Sequence, residues 1–324
     1  MSWRHFFLFK LPLSVLLLLG LAEVLAFSLS TTPQLRHPLD RLVASLPFET
    51  LDAEIVLFGD SVTQDVANQF ELAEEGRLAD LTTNKASAAM GMYLLLRRHL
   101  EHNRPPRHVV FAGTPEMLSY TPRESTSALY LASVFTKSDE QELLALAGLL
   151  PTTKFWKPAL FEIETSIFNR IIAKLAGPRR LTRTALPAET RTLPREGPEG
   201  NSAPVSKIAE RINARLELSR NAQLAIARIC ALSAAHDFQF HFVWAPLPVH
   251  AHERWQSDNR LKSLETAIAE ITGPDCRNVT FTDINETHAF PNHAFRDADH
   301  LRRPGWTTFY GRILEDYISR LPKR

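Results

Sequence analysis

The apolar run Ile55-Val56-Leu57 follows the polar Asp52-Ala53-Glu54 and shows no polar alternation, the pattern of a strand buried on both faces of a parallel sheet. Downstream, helical and strand patterns take turns. Gln64 to Leu78 reads as a helix and Leu81-Thr82-Thr83 as a short strand. Ala89 to Leu100 reads as a second helix with Met90, Tyr93, Leu94 and Leu96 as its apolar positions. Pro105-Pro106 breaks the chain before a third strand, His108 to Ala112. After a long interruption the alternation resumes. Ser206 to His236 is a helical pattern, Phe238 to Trp244 a strand, Leu261 to Ile271 a helix and Val279 to Asp283 a last strand. Pro304-Gly305-Trp306 then opens a closing helix that runs to Ile318. Alternation at this pace predicts right-handed βαβ units, a parallel sheet and an α/β fold in three layers, an α/β/α sandwich.

The interruption, Tyr120 to Pro204, reads as a helical insertion. Ser138-Asp139-Glu140-Gln141 has the capping-box pattern ahead of Leu143, Leu144 and Leu146. Leu160, Ile163, Ile167, Phe168, Ile171, Ile172 and Leu175 recur at helical spacing, as core or as a face laid on a bilayer or partner helices, and Gly177-Pro178 stops them. Arg179 to Pro204 is polar and proline-bearing, and reads as a mobile loop.

At the amino terminus Arg4, His5 and Lys10 precede an apolar stretch from Leu11 to Phe27, broken by Glu23. With Phe6 to Phe9 it approaches the roughly 20 residues that span a bilayer. The basic flank places the amino terminus in the cytoplasm and the rest of the chain outside, in the periplasm or the extracellular space. No small-x-small cleavage site precedes Phe27, so the segment reads as an uncleaved transmembrane anchor rather than a signal peptide. The expected organisation is residues 1–30 as anchor and flanks, 31–50 as a proline-bearing stem, and 51–324 as the α/β domain with its insertion at 120–204.

Composition adds bounds rather than direction. The 324 residues are 44% hydrophobic, enough for a large core. A net charge of +1, with no basic groove interleaved by aromatics, gives no case for nucleic acid as a partner. Two cysteines are too few for a disulfide framework; Cys230 and Cys276 read as buried or idle thiols, with a bridge open in an oxidising compartment.

The chemistry is concentrated at two places. Gly59-Asp60-Ser61 follows the first strand and displays a serine at the carboxyl edge of the sheet, where open α/β folds build their sites. Asp297-Ala298-Asp299-His300 lies near the other end, in a loop that the last strand brings to the same edge. An acid three residues before a histidine can orient the imidazole while its other nitrogen faces a serine, the nucleophile, base and orienter of a serine hydrolase. Ser61, His300 and Asp297 are therefore the candidate catalytic residues. Asp299 points away from the ring in most turns, and Asp60 is read as structural. His250 and His252 form a His-x-His pair without a third ligand at metal spacing, and read as solvent or substrate contacts; no metal or cofactor is expected. Asn278-Val279-Thr280 and Asn285-Glu286-Thr287 are sequons of little weight.

Gly59-Asp60-Ser61 and Asp297-x-x-His300 together resemble the first and last blocks of the SGNH (GDSL-like) hydrolase superfamily. The resemblance implies a Ser-His-Asp esterase and an oxyanion hole. Its Gly-x-Asn block corresponds to Gly113-Thr114-Pro115, where proline replaces the asparagine, so the amide would come from Asn84, with backbone N–H groups at Ser61 and Ala86. Asn84 is equally readable as a cap for the following helix. His300-Leu301 followed by Gly305-Trp306 is similar, in part, to the D-alanyl transfer proteins of teichoic acid synthesis, although their nucleophile block is commonly Gly-Ser-Ser. The function these readings imply is removal of O-acyl groups, O-acetyl first, from an extracytoplasmic glycan or lipid. The alternatives are an O-acyltransferase working beside a membrane-bound O-acyltransferase partner, and a non-catalytic scaffold that binds glycan or a membrane partner.

Overall fold

The computed structural model describes residues 9–30, 39, 42–43, 46, 52–67, 69–123, 127–150, 205–273, 276 and 279–322. The chain divides into two units, Met1–Arg41 with Thr152–Thr182, and Leu42–Pro151 with Arg183–Arg324. In the first, helix α1 (Leu11–Ser30) runs for 20 residues, and its large apolar side chains from Leu11 to Leu21 are exposed. Among the described residues no helix is long and apolar enough to cross a membrane, so the predicted transmembrane helix is not a feature of the observed fold.

The second unit is an α/β fold around one parallel sheet. Its strands are β1 (Ile55–Gly59), β2 (Leu78–Asp80), β3 (His108–Gly113), β4 (Gln239–Trp244) and β5 (Val279–Asp283), in the order β2-β1-β3-β4-β5. Helices cover both sides: α2 (Ser61–Ala67), α3 (Ala88–His102), α4 (Ser138–Leu146), α5 (Val205–Ile212), α6 (Arg220–His236), α7 (Val249–Ser257), α8 (Arg260–Thr272) and α9 (Gly305–Ser319). α6 packs against α3 and α8, and α9 packs against α2. Because side chains alternate along a strand, the sheet has two different faces. Ile55, Leu57, Val110, Ala112, Val243 and Ala245 meet Trp306, Tyr310, Leu314 and Ile318 of α9 in an aliphatic and aromatic core. At the alternate positions Phe242 and Trp244 stack with Phe281, and Phe111 meets Phe242 and Trp244 edge-on, in an aromatic ladder. From β1 the chain moves outward to β2, then returns to the other side for β3, β4 and β5. The winding therefore reverses between β1 and β3, and a crevice opens beyond their carboxyl ends.

Several elements differ from their sequence reading. The helix expected over Gln64 to Leu78 begins at Ser61 and ends at Ala67, followed by a single turn at Glu71–Glu74. The second strand is Leu78–Asp80 rather than Leu81 to Thr83, because the Asp80 carboxylate takes the Thr82 N–H at 2.9 Å and its hydroxyl at 2.6 Å, turning the chain. The long pattern Ser206 to His236 divides into α5 and α6. Ser219 caps α6 and ties to the Leu118 carbonyl through both its N–H (3.0 Å) and its hydroxyl (2.9 Å). The capping box starts one residue earlier than read: Glu140 takes the Lys137 N–H at 3.1 Å and is held by Arg98 in two bonds of 2.7 Å. The apolar stripe Leu160 to Leu175 and the polar loop Arg179 to Pro204 lie outside the described residues. Cys230 and Cys276, read as buried or idle thiols, are joined in a disulfide. Packing of α8 beside α6 brings their Cα atoms to 4.9 Å across 46 positions, within bridging range and invisible to sequence spacing.

Candidate active site

Ser61 is the first residue of α2, immediately past the β1 turn. Gly59 makes that turn through lack of bulk rather than an unusual backbone angle, since it is not among the positive-φ residues. A Cβ there would sit 2.3 Å from the Ala112 carbonyl oxygen and 2.6 Å from Thr63 Cβ. Asp60, buried, holds the turn as expected. Its Oδ1 accepts the Val62 N–H at 3.0 Å, and its Oδ2 accepts the Thr114 N–H at 3.0 Å and hydroxyl at 2.7 Å, linking the serine turn to the exit of β3. Thr63 donates to the Ala112 carbonyl at 2.6 Å and accepts from Tyr310 at 3.0 Å. Burial pushes the Tyr310 phenol up, so it remains a donor.

The histidine arrives on a loop clamped at both ends. Phe295 and Leu301 are buried and bridge each other antiparallel. The Arg296 N–H reaches the His300 carbonyl at 2.9 Å, and the Arg302 N–H reaches the Ala294 carbonyl at 2.8 Å. Inside the loop Asp297 Oδ1 accepts the N–H groups of Asp299 at 2.9 Å and His300 at 2.8 Å. The same carboxylate lies 3.0 and 3.1 Å from His300 Nδ1, and His300 Nε2 lies 2.8 Å from Ser61 Oγ. Partial burial works against the charge of Asp297, but the two backbone N–H groups and the imidazole outweigh it and hold the carboxyl below its ordinary value. A carboxylate at Nδ1 fixes the proton there and leaves the Nε2 lone pair facing the serine hydroxyl. The arrangement can take a proton from Ser61 as that oxygen attacks an electrophile, and it can stabilise the imidazolium formed.

The structure thus brings together Ser61, His300 and Asp297 from opposite ends of the domain. Asp299 Oδ1 lies 3.4 Å from Arg211 Nη1. Asn84 follows Thr83, whose N–H reaches the Gly59 carbonyl at 3.1 Å, and its own carbonyl accepts the Ser87 N–H at 3.1 Å and hydroxyl at 3.0 Å. Ala86 lies in the same turn, Lys85–Ser87, ahead of α3. Gly113 ends β3, and a Cβ on it would meet the Phe111 ring at 2.8 Å, so a side chain there would have to displace that ring. His252 is not a solvent contact: it is buried, with Nε2 2.7 Å from Asp283. His250 Nδ1 instead pairs with Asn292 at 2.8 Å. Among the described residues no three His, Cys, Asp or Glu side chains gather as for a metal ion.

Sequence reading missed Arg211 and Glu116. Arg211 is buried and charged, and binds Glu116 at 2.6 and 3.3 Å and the Ala298 carbonyl at 2.6 Å. No periodicity marks either residue; Glu116, three residues past the third strand, was the available signal. Asn285, met as a sequon, is buried and accepts the Leu247 N–H at 2.8 Å while donating to the Ala245 carbonyl at 3.1 Å, which pins the exit of β4. Protein-family models scanned against the chain give no match, and neither does a search of curated proteins.

Proposed function

We propose that the chain is a serine esterase of SGNH type, acting on O-acyl groups, O-acetyl foremost, of an extracytoplasmic glycan or lipid. The observation that carries the reading is the continuous relay from Ser61 Oγ through His300 to Asp297, at 2.8 and 3.0 Å, beyond the carboxyl ends of β1 and β3. The three-layer arrangement and the place of Gly-Asp-Ser and Asp-x-x-His on it agree with the SGNH resemblance.

In the first half-reaction Ser61 Oγ bonds to the ester carbonyl carbon as its proton passes to His300 Nε2. The tetrahedral oxyanion collapses, the alcohol leaves with the proton from Nε2, and an acyl-serine remains. In the second half, water attacks the acyl carbon while His300 takes its proton. The proton returns to Ser61 Oγ as the carboxylic acid departs. The Ser61 N–H at the start of α2, with the Asn84–Ala86 turn, is our assignment for the oxyanion donors.

The disulfide between Cys230 and Cys276 supports an oxidising compartment, hence the extracytoplasmic side. The exposed leucines of α1 form an apolar row, which supports a membrane surface as what this helix meets. The same exposed row favours a second reading, transfer of the acyl group from a membrane-held donor to a glycan hydroxyl in place of water. The test supplies the full-length protein in detergent with p-nitrophenyl acetate, with and without an oligosaccharide. Acetate released by wild type and lost in folded Ser61→Ala supports the esterase; acetylated oligosaccharide lost in the same variant supports transfer. Wild-type turnover in Ser61→Ala refutes both.

A further inference from the structure

Ser61 and His300 are 239 positions apart, yet their side chains meet at 2.8 Å. Something must refer the two loops to a common frame. On the serine side the link is Asp60, which grips Thr114 at the exit of β3. On the histidine side, two residues further along that exit, Glu116 holds the guanidinium of Arg211, Nε to Oε1 at 2.6 Å and Nη2 to Oε2 at 3.3 Å. The remaining arm, Nη1, donates to the carbonyl of Ala298 at 2.6 Å and lies 3.4 Å from Asp299 Oδ1. Ala298 is the residue between Asp297 and the Asp299-His300 pair, so this bond grips the outer side of the turn whose inner side Asp297 organises.

We propose that Arg211 is a positioning residue for the His300 base, fixing the Asp297–His300 turn to the exit of β3 so that Nε2 stays within reach of Ser61. The proposal rests on the reading of Ser61, His300 and Asp297 as the catalytic relay.

The chemistry of the residue fits this role. A guanidinium is a planar fork that satisfies both carboxylate oxygens of one partner and still aims a further N–H elsewhere, which an ammonium on a flexible stem does not. The Arg211 side chain is 3% exposed and that of Glu116 12%, so this pair is shielded from water and salt. Its origin is also fixed. The last carbonyl of α5 and one two residues beyond it are capped by other side chains: Ile212 O by Trp255 Nε1 at 3.3 Å and Arg260 Nη1 at 3.0 Å, and Ala214 O by Arg260 at 2.8 Å. The Trp255 ring lies beneath the guanidinium, 5.9 Å from Cζ. Arg211 therefore works from a braced helix end, and the braced part extends to the carbonyl beside the base.

Two variants of the full-length protein separate positioning from plain stability. Arg211→Met leaves Glu116 unpaired and Ala298 without its donor. Adding Glu116→Gln removes the stranded charge but does not return the donor. The expected result is that Arg211→Met lowers kcat about 100-fold with KM little changed, and that the double variant regains thermal stability but not kcat. The His300 Nδ1–H proton resonance, identified by its loss in His300→Gln, should broaden or shift in both variants. That resonance does not depend on turnover. If the wild type proves to have no Ser61-dependent hydrolysis, the catalytic reading fails while the resonance still decides the positioning. A wild-type resonance in either folded variant overturns the proposal, as does a double variant that regains both stability and kcat.

Discussion

Replacing Asp297 by asparagine should weaken the hold on the Nδ1–H tautomer of His300, and the structure shows how. Oδ1 accepts two backbone N–H groups, from Asp299 at 2.9 Å and His300 at 2.8 Å. Turning the amide NH2 toward them would set donor against donor twice, so the amide oxygen stays at that position. The NH2 then occupies the Oδ2 site, 3.1 Å from His300 Nδ1. There it faces Nδ1 as a donor, in competition with the amide oxygen 3.0 Å from the same nitrogen, so the share of rings carrying the proton on Nε2, toward Ser61 Oγ at 2.8 Å, rises. A ring that already carries its proton toward the serine cannot serve as the base. The expected loss is about 10⁴-fold in kcat, about 5 kcal/mol of barrier, with the fold retained. Asp299→Asn provides the contrast. Its carboxylate is half-exposed and 3.4 Å from Arg211, so the loss should stay under about 1 kcal/mol, or fivefold. Stopped-flow or steady-state hydrolysis of p-nitrophenyl acetate by both variants, with thermal melts as the folding control, measures the ranking. A folded Asp297→Asn within tenfold of wild type, or a larger loss in Asp299→Asn, refutes the reasoning.

Gly59→Ala should fail to fold or lose several kcal/mol of stability, since the new Cβ would fall 2.3 Å from a backbone oxygen that cannot swing away; an unchanged melting temperature would contradict this. Reducing the disulfide, or replacing both cysteines by alanine, should cost about 4 kcal/mol by loop closure over 46 positions, read as a lower urea midpoint; no shift in midpoint counts against the bridge. Acid should destabilise the domain through two buried histidines. Burial lowers His99 from 6.5 to about 4 against the pull of Asp52, and burial with the neighbouring His108 lowers His241 to about 4. The unfolded chain takes up these protons near pH 6.5 and the folded one does not, so their contribution is complete above pH 6.5 and declines as pH falls toward 4. Each is worth up to about 3 kcal/mol, measured by urea unfolding at pH 7.5 and 4.5 with His99→Gln as the comparison; equal stability at both pH values contradicts the assignment.

What was legible in the sequence follows from what is local. Val279–Asp283 and the helix from Gly305 were readable to within a residue because periodicity and the Pro-Gly start lie within one window. The relay was readable because its orienter and base share one short turn and its serine follows a buried run directly. The break before α6 and the end of β2 were not, because Ser219 and Asp80 redirect the chain through side-chain bonds that compete with helix and strand. Arg211, Glu116 and the Cys230–Cys276 bridge depend on partners 46 to 95 positions away, and no spacing rule reaches that far.

The central claim is that Ser61 is a nucleophile activated by His300. Its most direct measurement is peptide mass spectrometry of the full-length protein after treatment with a small alkyl fluorophosphonate at neutral pH. Attack by Ser61 Oγ on phosphorus expels fluoride and leaves one phosphonyl group on the peptide that contains Gly59-Asp60-Ser61. The adduct should form on Ser61, in near-stoichiometric yield, and should fall at least about 100-fold in rate in His300→Gln. Folded protein in which Ser61 stays unmodified, or is modified as fast without the histidine, contradicts the claim.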